Sequence, residues 1–314
     1  MSLSSMIRQW IVLFLVCFAI LAVFSCAPKE ISPAPPLTTT GKNVPVSPPP
    51  KPAKIAVVLG AGASKGFAHI GVLKVLEANK IPIHMVVGTS AGSVVGSLYA
   101  YGYDAFTLQN MAMRIEKNDV IDMTIPNNGF IKGEKLEQFI NRSVKNTPIE
   151  KLKIRFYAVA TEVCTGNEFV CAIGNTGTAV RASCSIPGVF QPVKIGTRTF
   201  VDGGVVSPVA VEVARRYGAD VVIAIDISGG VAGAIPQSTM DTILQSIDIM
   251  YSKISAYQLS KADVVIRPKV SDIGSADLNR RHDAILEGEK AATEALPAIQ
   301  KILAKLRQEG RIQS

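Results

Sequence analysis

The pentapeptide Gly88-Thr89-Ser90-Ala91-Gly92 has the form G-x-S-x-G. An apolar run leads into it and a helical pattern follows. This is the setting of a nucleophile elbow, in which a serine takes strained backbone angles and small neighbours let strand and helix approach closely. Its hydroxyl would stand at a helix N-terminus, whose amides favour developing negative charge. The competing reading is a tight strand–helix connection with Ser90 as N-cap. A second stretch, "LGAGASKGFAHIG" (59–71), sets glycines at 60, 62 and 66 between another apolar run and another helical pattern. Such loops present backbone N–H groups to an anion. The spacing does not fit a dinucleotide fingerprint, and Lys65 precedes Gly66, against the order of a P-loop. An oxyanion hole is the better reading, with a packing turn as the alternative. A third stretch, "FVDGG" (200–204), ends an extended pattern in Asp202 and turns at Gly203 and Gly204. That carboxylate either caps the turn or accepts a proton.

Two routes could activate Ser90. A Ser90–Asp202–His282 triad is formally available, but "NRRHDAILEG" sets His282 among charges at a helix start. His69 and His84 precede the serine, against the Ser…Asp…His order of α/β-hydrolases. The other route has Asp202 take the Ser90 proton directly, with its pKa raised toward neutrality by an apolar pocket.

Alternating elements are needed to position these groups. Strands are expected over 54–60, 83–89, 155–163, 193–204, 220–228 and 263–268, and helices over 69–80, 93–102, 209–218 and 282–308. Alternation of this kind predicts an α/β domain with a mainly parallel sheet covered by helices, and some antiparallel pairing near 170–204. In a parallel sheet the C-terminal strand ends share one edge, so the 60–66 and 88–92 loops can face one pocket. No internal repeat is visible.

With 48% hydrophobic and 18% charged residues over 314, the chain can build a sizeable core. Lysine and arginine exceed aspartate and glutamate by 33 to 25, without a block of like charge. That excess reads as weak attraction to anionic surfaces, not as a nucleic-acid footprint. No Cys/His spacing suggests a metal site. "ATEVCTGNEFVC" reads as a hairpin about Gly166–Asn167, with Cys164 facing Phe169 and Cys171 facing Glu162. A Cys164–Cys171 disulfide is conceivable in that register, but buried thiols acting as small hydrophobes are favoured for Cys164, Cys171 and Cys184.

At the N-terminus, Arg8 precedes fourteen apolar residues, Ile11–Phe24. This is short for a membrane span and fits the h-region of a secretory signal. "LAVFSCAPKE" resembles the lipobox of bacterial lipoproteins, which implies cleavage before Cys26 and acylation of it. Residues 1–25 are therefore expected to be a lipoprotein signal peptide, and 26–53, rich in Pro, Thr, Ser and Lys, a tether. Residues 54–314 are expected to form the folded domain that carries the three stretches above. The expected location is the cell envelope, lipid-anchored through Cys26, on the outer membrane facing the periplasm in a Gram-negative source.

Taken together, Gly60–Gly66, Gly88–Gly92 and Asp202–Gly204 resemble the patatin-like phospholipase family, in the family order. "HIGVLKVLE", "RASCSIPGVFQPV" (181–193), "GADVVIAIDIS" (218–228) and "ADVVIRPKVSDIGSAD" are also similar, and the resemblance runs from Lys54 to Leu306. It implies a three-layer α/β fold and a serine–aspartate dyad: Ser90 matches the nucleophile and Asp202 the general base. Gly62, Ala63, Ser64, Lys65 and Gly66 match the oxyanion loop, and Gly88, Gly92, Gly203 and Gly204 the motif glycines. Ala61 interrupts the usual glycine run, Ser64 occupies part of the loop, and Lys65 stands where Arg is frequent. The implied activity is hydrolysis of phospholipid or lysophospholipid esters through an acyl-enzyme, with no calcium or other cofactor. Other acyl esters or thioesters, or non-catalytic lipid binding, are the alternatives.

Overall fold

The computed structural model describes residues 50–125, 128–228 and 235–312. The expected signal peptide, Cys26 and most of the 26–53 tether lie outside these residues. In chain order the elements are β1 (Ile55–Leu59), a 3₁₀ turn (Ala63–Gly66), α1 (Phe67–Ala78), β2 (Met85–Thr89), α2 (Ala91–Tyr101), α3 (Ala105–Arg114), α4 (Lys117–Val120) and α5 (Glu134–Ser143). Then follow β3 (Arg155–Glu162), β4 (Glu168–Cys171), α6 (Thr176–Ser183), β5 (Val193–Ile195), β6 (Arg198–Asp202) and α7 (Val211–Arg216). The chain closes with β7 (Val221–Ile225), α8 (Thr239–Leu259), β8 (Val264–Ile266) and α9 (Arg281–Gln308).

Strands β3, β2, β1, β7 and β8 lie side by side and parallel. Every residue of β1, β2 and β7 is buried. That is what helices on both faces of a parallel sheet require, and it explains why these strands read as continuous apolar runs. Along β1 the two faces alternate. Ile55, Val57 and Leu59 join the core with Leu73 of α1, Leu98 of α2 and Leu303 of α9. Ala56 and Val58 point the other way, to Val211 and Ala214 of α7 and Leu259 of α8. The result is the three-layer α/β fold with a mainly parallel central sheet.

The antiparallel part is what builds the site. Strand β3 pairs with β2 over Arg155–Val159, with β4 over Ala158–Thr161 and with β6 over Ala160–Glu162. β4 overlaps both other partners, so it must lie on the opposite edge of β3. β2 and β6 therefore share one edge and arrive on it end to end. Thr89, the last residue of β2, pairs with Val159, and Asp202, the last of β6, pairs with Ala160.

The β3–β4 hairpin differs from the expected register. Phe169 pairs with Ala160 and Cys171 with Ala158. The turn takes up Val163–Gly166, closed by Glu162 N donating to Asn167 O (3.0 Å) and Gly166 N to Glu162 O (2.9 Å). Gly166 has φ 69°, a left-handed angle that glycine adopts at little cost. A longer turn shifts all later pairs, so Cys164 is exposed in the loop while Cys171 and Cys184 are buried, and all three are free thiols. At the N-terminal side the folded body takes in residues before Lys54: Ala53 is buried and donates to Arg311 O at 2.8 Å. No helix among the described residues is long and apolar enough to cross a membrane.

Candidate active site

Ser90 leaves the end of β2 with φ 53° and ψ −123° and begins α2 without any side-chain capping bond. The N-cap reading therefore does not describe it. Positive φ is costly for a residue bearing a Cβ, of order 1–3 kcal/mol, and needs surrounding structure to enforce it. Two features do so. The Ser90 amide donates to Ser183 Oγ at 2.9 Å, and Ser183 Oγ donates to Val159 O at 2.6 Å, tying the elbow to β3. The small flanking residues remove obstruction: a Cβ on Gly92 would lie 2.0 Å from Leu59 O, and one on Gly88 2.5 Å from Gly92 O.

The strained turn presents Ser90 Oγ to Asp202 Oδ2 at 2.5 Å. Asp202 is fully buried. Its other oxygen, Oδ1, accepts from Gly204 N at 2.7 Å and from Tyr251 Oη at 2.9 Å. Burial pushes the carboxyl up to about 6, restrained by the hydrogen bonds from Ser90, Gly204 and Tyr251. Gly203 packs on β3, where a Cβ would stand 2.1 Å from Val159 O.

The 60–66 loop crosses above the elbow, with Gly66 packed against Ala91. Its Ser64 amide donates to Ser275 O at 3.2 Å and its Lys65 amide to Gly62 O at 3.1 Å, so both donors are occupied. Among the described residues the amides of Gly62, Ala63 and Ala91 have no acceptor. Ala63 and Ala91 line the same cavity as Ser90. Ala91 was not anticipated, although it follows the serine directly, where elbow motifs commonly supply a donor. Lys65 is 2% exposed, and its ammonium meets Asp248 Oδ2 of α8 at 2.8 Å. Ser275 Oγ donates to that same carboxylate oxygen at 2.8 Å.

None of the histidines is a hydrogen-bond partner of Ser90 or Asp202. His69 is buried, with Nε2 2.9 Å from Gly60 O, and burial lowers it to about 4. His84 Nδ1 accepts from Ile55 N, and His282 is exposed on α9. No cluster of three His, Cys, Asp or Glu side chains among the described residues is placed to hold a metal ion.

Ser90 opens onto a cavity of about 440 Å³. Its walls include Phe67, Val95, Leu98, Leu108, Met111 and Phe139, with Met123 and Phe130 lining it and exposed at the surface. This chamber suits a hydrocarbon chain, and Ser90 is part of its lining.

Sequence reading missed Ser183, Tyr251 and Asp248. Ser183 lies within "RASCSIPGVFQPV" and carried a signal. Tyr251 and Asp248 belong to α8, which the apolar periodicity did not reveal. Its polar residues Asp248, Tyr251, Ser255 and Gln258 recur at helical spacing on one face, and that stripe was the available clue.

A family model described as "Patatin-like phospholipase" matches residues 57–215. Over 195 residues the chain is 32% identical to "Lysophospholipase NTE1" of Debaryomyces hansenii, covering 60% of this chain and 13% of that protein. It is 30% identical over 207 residues to an uncharacterized NTE family protein of Mycobacterium tuberculosis, covering 65% of this chain and 57% of that one. The chain thus spans from about an eighth to somewhat over half the length of these relatives. Among solved structures, VipD from Legionella pneumophila has the same fold, with a TM-score of 0.54 at 12% identity, over 79% of this chain and 67% of that chain.

Proposed function

Because this chain belongs to the patatin-like phospholipase family, we propose that it is a serine lipid acyl hydrolase acting on phospholipid or lysophospholipid esters. One observation carries the proposal: the 2.5 Å contact between Ser90 Oγ and buried Asp202 Oδ2, with Ser90 lining an apolar cavity. The name of the Debaryomyces relative, a lysophospholipase, supports the substrate class.

In the proposed reaction, Asp202 accepts the Ser90 proton as Oγ bonds to the ester carbonyl carbon. The carbonyl oxygen becomes an oxyanion facing the amides of Ala63 and Ala91, with Gly62 adjacent. Losing one such donor typically costs about 10²–10³ in rate. The C–O bond to the leaving alcohol breaks as Asp202 returns its proton to that oxygen, leaving the acyl group on Ser90. Water then gives a proton to Asp202 and attacks the acyl carbon. The fatty acid leaves, and the proton passes from Asp202 back to Ser90. The cavity takes the acyl chain, and the apolar rim at Met123 and Phe130 lets a lipid enter without crossing water. An acylated Cys26 on the 26–53 tether would hold this site beside a membrane, and mass spectrometry of the mature N-terminus tests that anchor.

The function is tested with a fluorophosphonate probe and a panel of phospholipids, lysophospholipids and simple esters. Labelling at Ser90 and lipid hydrolysis are expected, both lost in Ser90→Ala, while His282→Ala keeps most of its activity. Folded protein that neither labels nor hydrolyses any ester would overturn the proposal. Loss in His282→Ala as severe as in Ser90→Ala would overturn the dyad.

A further inference from the structure

Helix α8 sits beside the site and makes two polar contacts with it. Asp248 holds Lys65 of the 60–66 loop, and Tyr251, one turn later, donates to Asp202 Oδ1. Tyr251 is 3% exposed. Its ring lies where a side chain on Gly204 would otherwise project: a Cβ there would stand 2.3 Å from Tyr251 Cζ. The second glycine of Asp202-Gly203-Gly204 therefore clears the space through which the phenol reaches the carboxylate.

Gly204 N and Tyr251 Oη both bind Oδ1, which among the described residues leaves Oδ2 to Ser90. Two donors on one oxygen fix the rotation of the carboxylate about its own axis. They also favour its ionised form, which is the form able to take a proton.

We propose that Tyr251 is a positioning residue that orients Asp202 and keeps it ionised for proton abstraction from Ser90. This rests on the reading of Asp202 as the base. The polar and titratable groups around Asp202 come from four directions. Ser90 approaches from the elbow and Tyr251 from α8, with Asp248 a turn before it already engaged with Lys65. Cys184 follows α6, and Thr161 Oγ1 on β3 donates to the Asp202 carbonyl. Only Tyr251 among these donates to the carboxylate without belonging to either sequence motif. Its own ionisation is pushed well above the ordinary tyrosine range by burial and by Asp202, so it stays a donor throughout the working pH range.

The test is Tyr251→Phe, which removes one oxygen and keeps the ring. The expected result is that the acid limb of kcat/KM moves to higher pH by about one unit, as loss of a hydrogen bond to a charged group implies. At pH 6 this amounts to a loss of about five- to sixfold, with nearly all of the activity regained at pH 8. A simple packing defect would lower rates at all pH values and leave the limb in place. Tyr251→Leu repeats the measurement should Phe pack badly. Titration of the Asp202 carboxyl by ¹³C NMR, identified by its absence in Asp202→Asn, is done in parallel and needs no turnover. An upward shift in the variants supports the proposal. An unmoved Asp202 titration overturns it, whatever the activity. Absence of Ser90-dependent hydrolysis in the unaltered protein would instead overturn the base assignment.

Discussion

Ser90 and Asp202 are 112 residues apart in the chain and 2.5 Å apart at their side-chain oxygens. The contact follows from strand register. β2 and β6 approach from opposite directions along one edge of β3 and end against Val159 and Ala160. The residue that leaves one strand therefore meets the residue that ends the other. Backbone pairing, the most rigid part of the sheet, sets this distance.

In the proposed reaction the proton acceptor is Asp202, whose carboxyl burial pushes up to about 6. The base works only when ionised, so kcat/KM should fall on acidification through about pH 6 and level off above it. Steady-state rates from pH 4.5 to 9 check this. A limb centred near pH 4 would mean that Asp202 is solvated in the working enzyme.

The same burial bears on stability. A carboxyl whose folded-state pKa is raised from 3.8 to about 6 binds its proton more tightly in the folded chain. That contribution is present in full below about pH 4 and lost as pH rises through 6. At pH 8 the ionised Asp202 then weakens the fold by on the order of 3 kcal/mol relative to acid conditions. Asp202→Asn should raise the thermal midpoint at pH 8 and do so much less at pH 4.5. Differential scanning calorimetry at the two pH values reads the contrast.

Gly92→Ala should be far worse than an ordinary helix substitution, although alanine favours helices. Its Cβ would lie 2.0 Å from Leu59 O, a backbone atom of a buried strand. A loss of about 3 kcal/mol or more is expected, with activity lost together with the fold. Urea denaturation and circular dichroism check this.

Ser183→Ala removes the acceptor of the Ser90 amide and leaves that buried N–H without a partner. The expected cost is about 1–3 kcal/mol of stability. The elbow also loses its tie to β3, so kcat should fall more than KM rises. Denaturation and Michaelis kinetics on the same preparation separate the two effects.

Much of this was legible before folding was considered. The parallel strands announced themselves because burial on both faces demands unbroken apolar runs, as in "KIAVVLG". The candidate site residues carry local signatures because backbone constraints dictate their neighbours. Ser90 needs small flanks at an elbow, and Asp202 needs a following glycine where the chain turns. Less legible were α3, α5, α6 and α8. Helix α6, "TGTAVRAS", opens on Thr-Gly-Thr, all poor helix formers, and is held by its Asn175 cap and by packing against β3. The hairpin register was misjudged because turn length is decided by how the strands fit the sheet, and the sequence allows more than one closure.

The sequence by itself determined the residue types at the site and the local conformations they require, since those depend on near neighbours along the chain. Only the tertiary structure decided who faces whom. It turned Asp202 toward Ser90 in place of His282, left the Ala63 and Ala91 amides without acceptors, and brought Tyr251 through the gap above Gly204. Those choices rest on pairing between strands and on close packing across more than a hundred residues of chain, and no local pattern encodes them.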